Sequence, residues 1–160
     1  MYKKLNFSWV IADTLAASSI PKSKKDLVWL VKNQGVNTIV SLTEEKLTKQ
    51  IKNFNEIKKE LNFKYYSIPT NDGTGFFNHQ FEKVIKIFEN NFKNKEKMLV
   101  HCEGGFGRTS TILIAIWMAH FHKRFEESFE DIKDESIRPQ AMITDLQSKS
   151  LKEWEAILFD

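Results

Sequence analysis

A single cysteine, three prolines, six glycines and four histidines are all that this chain of 160 residues contains of those types, and the scarcities exclude several classes of protein. One cysteine cannot close an internal disulfide, so a reducing compartment is the expectation. One cysteine and scattered histidines, none paired at ligand spacing with another good ligand, do not build a zinc centre, and no metal or cofactor is expected. Charge of one sign is not in excess. Lys plus Arg number 24 against 21 Asp plus Glu, a formal net charge of +3 that collects in no tail, which argues against a nucleic-acid binder. No apolar run reaches the roughly 20 residues of a membrane span. The start, Met1-Tyr2-Lys3-Lys4-Leu5-Asn6, lacks the apolar core of a secretory signal, which makes a cytoplasmic location the expectation. Repeats, low-complexity tracts and linkers are missing too. Residues 1–160 therefore read as one domain, and an apolar share of 41% is enough for a real core.

What is present alternates between two periodicities. Phe7 to Ile11 and Thr14 to Ala17 read as short strands, and Leu27, Leu30 and Val31 mark the inner face of a helix that Gly35 ends. Thr38-Ile39-Val40-Ser41-Leu42 is a β-branched run suited to a buried parallel strand. Thr43-Glu44-Glu45 reads as the cap of a following helix in which Leu47, Ile51, Phe54, Ile57 and Leu61 recur at near-helical spacing. Phe63 to Ile68 predicts another strand, and Pro69 to Gly75 a loop. Phe81, Val84, Ile85, Phe88 and Phe92 stripe a further helix, and Lys97 to His101 forms a strand. Thr109 to Phe121 is apolar on nearly every side, as a central buried helix would be. Glu126 to Ser136 and Ala141 to Leu158 predict two amphipathic helices separated by Arg138-Pro139. The expected fold class is α/β, with a central, mostly parallel sheet of about five strands flanked by helices.

Three of the six glycines fall in one stretch, His101-Cys102-Glu103-Gly104-Gly105-Phe106-Gly107-Arg108-Thr109, which also holds the only cysteine. Strand, tight loop and helix start follow one another here. Glycines let successive backbone N–H groups turn inward as an anion cradle, and the helix N-terminus adds partial positive charge. That field favours the thiolate of Cys102, the form that attacks phosphorus, while Arg108 can fork two N–H groups onto two phosphate oxygens. The bland alternative, an inert buried cysteine, is common after an apolar run. Cleaving a phosphate ester also needs an acid for the leaving oxygen. Asp72 is the best candidate, in a loop at the end of another strand, although an ordinary Asp-Gly turn has the same appearance. Glu44 and Glu45 are weaker rivals, since they fit a helix cap.

The signature stretch resembles that of the cysteine-dependent protein tyrosine phosphatase superfamily. Asn6-Phe7-Ser8-Trp9-Val10, Val40-Ser41-Leu42-Thr43-Glu44, Ile68-Pro69 with Asp72, and Arg138-Pro139 are similar in order and spacing to the small atypical dual-specificity phosphatases. The VHZ-like group and compact archaeal protein tyrosine phosphatases are the nearest likeness. The resemblance implies that Cys102 forms a phosphocysteine intermediate and that Arg108 holds the phosphoryl oxygens. It implies that Glu103, Gly104, Gly105, Phe106 and Gly107 supply backbone N–H donors. Thr109 would hydrogen-bond the sulfur and make it a better leaving group. His101 would hold the loop in shape and favour the thiolate. Asp72 would act as acid and then as base, and Gln147 would help place water. The chain departs from the pattern at Ser110, where glycine is usual, at Ile143, where a polar residue is usual, and at Asn71, where relatives often have proline.

The resemblance further implies a phosphorylated protein or peptide as substrate, and phosphate, sulfate or vanadate as active-site ligands. Lipid phosphatases of the superfamily carry lysines inside the loop, where this chain has Glu103 and Phe106, so a phosphopeptide or aryl phosphate is favoured. The chain is too short for the added loop that deepens phosphotyrosine pockets in larger relatives, so phosphoserine and phosphothreonine stay open. An RNA 5′-triphosphatase, a phosphoinositide phosphatase and a non-catalytic phosphopeptide-binding pseudophosphatase are the alternatives. The expected protein is a monomer with no nucleic-acid or membrane partner.

Overall fold

The structure, a computed structural model, describes residues 4–160; the reading of Met1 to Lys3 as part of a start without a secretory signal lies outside them. Strands β1 (Ser8–Ile11), β2 (Leu15–Ser18), β3 (Thr38–Ser41), β4 (Lys64–Ser67) and β5 (Met98–His101) form one sheet in the order β1-β2-β5-β3-β4. Only the β1–β2 pair is antiparallel. β5 therefore runs in the middle, with Ser18 and Ser41 as the partners of His101 on either side. Its carboxyl end opens where neighbouring strands stop, the usual ligand edge of such sheets.

All four residues of β5 are buried, and they alternate between two cores. Met98 and Val100 enter the core on one face, while Leu99 joins Ala16 and Ile39 on the other. A strand covered on both faces needs the continuous apolar run seen in its sequence. The first core lies under α4 (Asn78–Lys93), α5 (Gly107–Phe121), α6 (Phe125–Ile132) and α7 (Asp145–Phe159). The second lies under α1 (Lys24–Val28), α2 (Leu47–Gln50) and α3 (Phe54–Leu61). Eleven consecutive residues of α5, Arg108 to Met118, are buried, which accounts for its lack of a polar face.

Three sequence expectations need correction. The helix expected after Thr43 is two helices, because Ile51 is extended and Asn53 takes a left-handed conformation with φ 60°. Leu47, Ile51, Phe54, Ile57 and Leu61 are nevertheless all buried, and the break seats Phe54 edge-on against Tyr65, 4.9 Å between ring centroids. Thr43 and Glu44 do not cap α2, whose N-cap is Lys46 with no side-chain bond. Finally, α6 stops at Ile132 rather than Ser136, and α7 begins at Asp145 rather than Ala141. There the Thr144 side chain accepts from the Gln147 N–H, a capping box that leaves 141–144 as a non-helical segment before α7.

Candidate active site

Carbonyl groups, not N–H groups, show why residues 102–107 form a cradle. The carbonyl of Glu103 accepts from Ile20 N–H, that of Gly104 from Asn6 Nδ2, and that of Gly105 from Arg138 Nη2. In a trans peptide the C=O and the next N–H point opposite ways, so each carbonyl tied outward turns the following amide inward. Phe106 and Gly107 carbonyls are taken by Ser110 N–H and Thr111 Oγ1 at the start of α5. Gly105 has φ +83°, and a Cβ there would stand 2.8 Å from both Arg138 Nη2 and the Ser18 carbonyl oxygen. Only glycine fits that position.

Cys102 is buried at the base of the cradle and accepts a hydrogen bond of 2.9 Å from Thr109 Oγ1. His101, the last residue of β5, is buried between Ser41 and the loop. Its Nε2 meets Ser41 Oγ, and its Nδ1 lies 3.0 Å from the Cys102 carbonyl. Tyr65 Oη donates to Ser41 Oγ and accepts from Leu47 N–H, so the chain of bonds runs on through β4 to α2. Burial, with a smaller push from Arg108, lowers the His101 pKa to about 4. The ring is neutral at pH 7 and holds the loop by hydrogen bonding, bringing no positive charge to the sulfur.

Arg108, in the first turn of α5, is buried and held from behind. Its Nη1 donates to Glu44 Oε1 at 2.6 Å and to the Thr70 carbonyl at 2.8 Å. Its Nε has no hydrogen-bond partner although it is buried, and it stands 3.7 Å from Asp72 Oδ1. The Asp72 side chain is 80% exposed. It lines a cavity of about 200 Å³ together with Phe106, Gly107, Ile143 and Gln147. The loop carrying it is tied to the cap of α7 by Thr144 Oγ1, which donates to the Gly73 carbonyl at 2.8 Å. Gln147 is fully buried with its Nε2 unpartnered, and a Cβ on Gly107 would lie 3.2 Å from that nitrogen. The candidates from the signature loop, the acid loop and Gln147 thus gather at one edge of the sheet.

Two residues at the site escaped the sequence reading of their roles. Glu44 was weighed as an acid and a cap; in the structure it is a partner of Arg108. Its own backbone N–H and then the Arg108 guanidinium hold its carboxyl below the usual range, with a smaller part from the Asp72 N–H. Its signal was its place, just past the carboxyl end of a parallel strand adjoining β5. Arg138, noted only as a landmark, is fully buried and bonds the Gly105 carbonyl, the Asn6 carbonyl and Ser8 Oγ. No sequence signal marks an arginine as buried. Ser110, the departure from glycine, is used as well: its Oγ accepts from Met142 N–H at 3.3 Å and anchors segment 141–144.

Residues 4–155 match a family described as "Swiss Army Knife protein, DSP-PTPase phosphatase domain". A candidate tyrosine phosphatase, 123R, of Invertebrate iridescent virus 6 is 28% identical over 75 residues, and the chain spans about half, 52%, of that relative's length. Among solved structures, PTPMT1 in complex with PI(5)P superposes with a TM-score of 0.84 at 20% identity, covering 95% of this chain and 96% of that one. Tk-PTP in its active form gives 0.81 at 22% identity over 98% and 99% of the two chains. The human tyrosine phosphatase-like serine/threonine/tyrosine-interacting protein gives 0.79 at 18% identity over 96% and 98%. At such identities the superpositions speak for the fold, which is the expected five-stranded, mostly parallel α/β sheet.

Proposed function

The chain belongs to the DSP-PTPase phosphatase family, and from that premise we propose that it is a cysteine-dependent phosphatase that hydrolyses phosphotyrosine in proteins through a phosphocysteine intermediate. The observation that carries this reading is the buried Arg108 Nε, which has no hydrogen-bond partner. With Nη1 occupied by Glu44 and Thr70, the buried Nε keeps an N–H without a hydrogen-bond partner 3.7 Å from Asp72 Oδ1, and a phosphoryl group held by the loop would accept from it.

In the first step the Cys102 sulfur attacks phosphorus in line. A P–S bond forms, the P–O bond to tyrosine breaks, and Asp72 in its acid form gives its proton to the phenolate oxygen. The inward N–H groups of the loop and the Arg108 edge take the equatorial oxygens, stabilising charge as it redistributes. In the second step water attacks the phosphocysteine. Asp72, now a carboxylate, takes the proton, Gln147 orients the water through its free Nε2, and the Thr109 hydroxyl supports the departing sulfur. Protein rather than inositol polyphosphate or triphosphorylated RNA is favoured because Glu103 and Phe106 occupy the loop positions where cations would meet further phosphates. A single catalytic domain acting as a monomer in the cytoplasm completes the reading.

Release of phosphate from p-nitrophenyl phosphate and from a phosphotyrosine peptide, with Cys102→Ser as control, tests it. Turnover abolished by the substitution is expected. No turnover on either substrate would leave a phosphopeptide-binding pseudophosphatase, and turnover surviving the substitution would place the nucleophile elsewhere.

A further inference from the structure

The surface around the catalytic mouth is apolar. Among the described residues seven large hydrophobic side chains are exposed, and four of them belong to the segments around this mouth: Phe77 at 70%, Phe106 at 41%, and Met142 and Leu146 at 59% each. Phe106 and Met142 line the cavity that holds Asp72. Phe77 lines the adjoining groove on the other side of the acid loop, together with Asn71 and Gly75. Leu146 follows the Thr144 cap at the start of α7, and its carbonyl lies close behind Gly75 of the acid loop, where an added Cβ would stand 2.7 Å from it. These side chains stand on anchored backbone. Met142 N–H is held by Ser110 Oγ, and Thr144 is held both to Gly73 and to Gln147. Exposed apolar side chains clustered on a fixed scaffold mark a recognition surface rather than a frayed edge.

Charge narrows what that surface accepts. Neither cavity is lined by a lysine or an arginine. Arg108 is buried, its Nη1 held by Glu44 and Thr70, whereas Glu44, Asp72 and Glu103 are exposed carboxylates. A second phosphate, an acidic peptide flank or an anionic lipid surface entering either cavity would meet these carboxylates with no lysine or arginine in the described lining to offset them.

We propose that the site selects phosphotyrosine set within an apolar stretch of polypeptide, with the aryl ring against Phe106 and the flanking side chains on Met142, Leu146 and Phe77. This rests on the phosphatase reading above. It predicts preference by contact: burying even one extra methylene in an apolar pocket is worth about tenfold in discrimination.

The experiment compares kcat/KM for phosphotyrosine peptides that differ only in the residues flanking the tyrosine, apolar in one set and acidic in the other. Each value is divided by the turnover of p-nitrophenyl phosphate by the same preparation. Apolar flanks are expected to win by about tenfold or more. In the double variant Met142→Ser, Leu146→Ser the ratio between sets is expected to fall toward one, a quantity that a general loss of folded enzyme does not alter. Equal or better use of acidic flanks, an unchanged ratio in the double variant, or faster release from a phosphoinositide in anionic vesicles than from any peptide would each overturn the proposal. Failure to hydrolyse p-nitrophenyl phosphate would instead refute the phosphatase reading itself.

Discussion

Glu44 Oε1 accepts a 2.6 Å hydrogen bond from Arg108 Nη1, joining the end of β3 to the first turn of α5 across 64 residues of chain. The bond fixes which edge of the guanidinium faces the cradle, because Nη1 is spent on Glu44 and on the Thr70 carbonyl. Orientation of this kind matters more to a charge clamp than to stability. Glu44→Ala is therefore expected to lower kcat/KM for aryl phosphates by about 10- to 100-fold and to weaken vanadate inhibition. Its melting temperature should move little, since the Glu44 side chain is half exposed and solvent screens the pair. Unchanged kinetics would mean that Thr70 alone holds the arginine.

The way Glu44 was misread shows where sequence reasoning stops. Thr-Glu-Glu ahead of an apolar stripe has the composition of a helix cap, and composition cannot report that a strand has delivered the second of those residues to a neighbouring loop. The spacing of Leu47, Ile51, Phe54, Ile57 and Leu61 found the buried side chains, but not the left-handed Asn53 that splits the helix, since asparagine tolerates that conformation without announcing it. The loop from Cys102 to Arg108 was legible because its chemistry is local: glycines, thiol and arginine within one turn of chain. Arg138 was legible only as a landmark, because its three partners lie more than 30 residues away along the chain. By contrast, Thr144-Asp145-Leu146-Gln147 spelled the capping box that starts α7, and the apolar Ala141-Met142-Ile143 just before it hid the boundary.

His101 supplies a prediction about pH. Its folded pKa of about 4 lies below the ordinary value of 6.5, so between those values the unfolded chain binds a proton that the native state refuses. Stability therefore rises with pH through this window and is lost as pH falls from 6.5 toward 4, by up to about 3 kcal/mol from this one group. Urea unfolding at pH 7, 6, 5 and 4 should show the loss. In His101→Asn the dependence should be shallower by up to one proton across the same range. An equal slope in both proteins would mean that carboxylates alone account for the acid sensitivity.

Asp72 is 80% exposed and lies 3.7 Å from Arg108 Nε, close enough to reach a leaving oxygen without being buried with it. An acid is needed in proportion to how poorly the leaving group departs unaided. Asp72→Asn should slow phosphotyrosine hydrolysis by about 100-fold or more, and p-nitrophenyl phosphate, whose phenolate leaves readily, considerably less. Equal losses on both substrates would assign the proton to another residue.

Gly73 and Gly105 have nearly the same backbone, φ +81° and +83°, in loops on opposite sides of the site, and comparing them separates strain from collision. An added Cβ at Gly73 meets nothing within 4 Å, so Gly73→Ala should cost only the penalty of a left-handed alanine, about 1 kcal/mol, and leave phosphate affinity close to that of the parent. At Gly105 the same atom stands 2.8 Å from Arg138 Nη2 and from the Ser18 carbonyl oxygen. Neither can retreat, because Arg138 is pinned by Asn6 and Ser8 and Ser18 lies in the sheet. The loop must move instead, turning the amides after Gly105 away from the phosphoryl oxygens. Gly105→Ala is expected to lose vanadate binding and turnover by at least 100-fold, on the scale of removing an oxyanion donor, while remaining folded by circular dichroism. If Gly105→Ala binds vanadate as well as Gly73→Ala does, the outward-tied carbonyl is not what shapes the cradle.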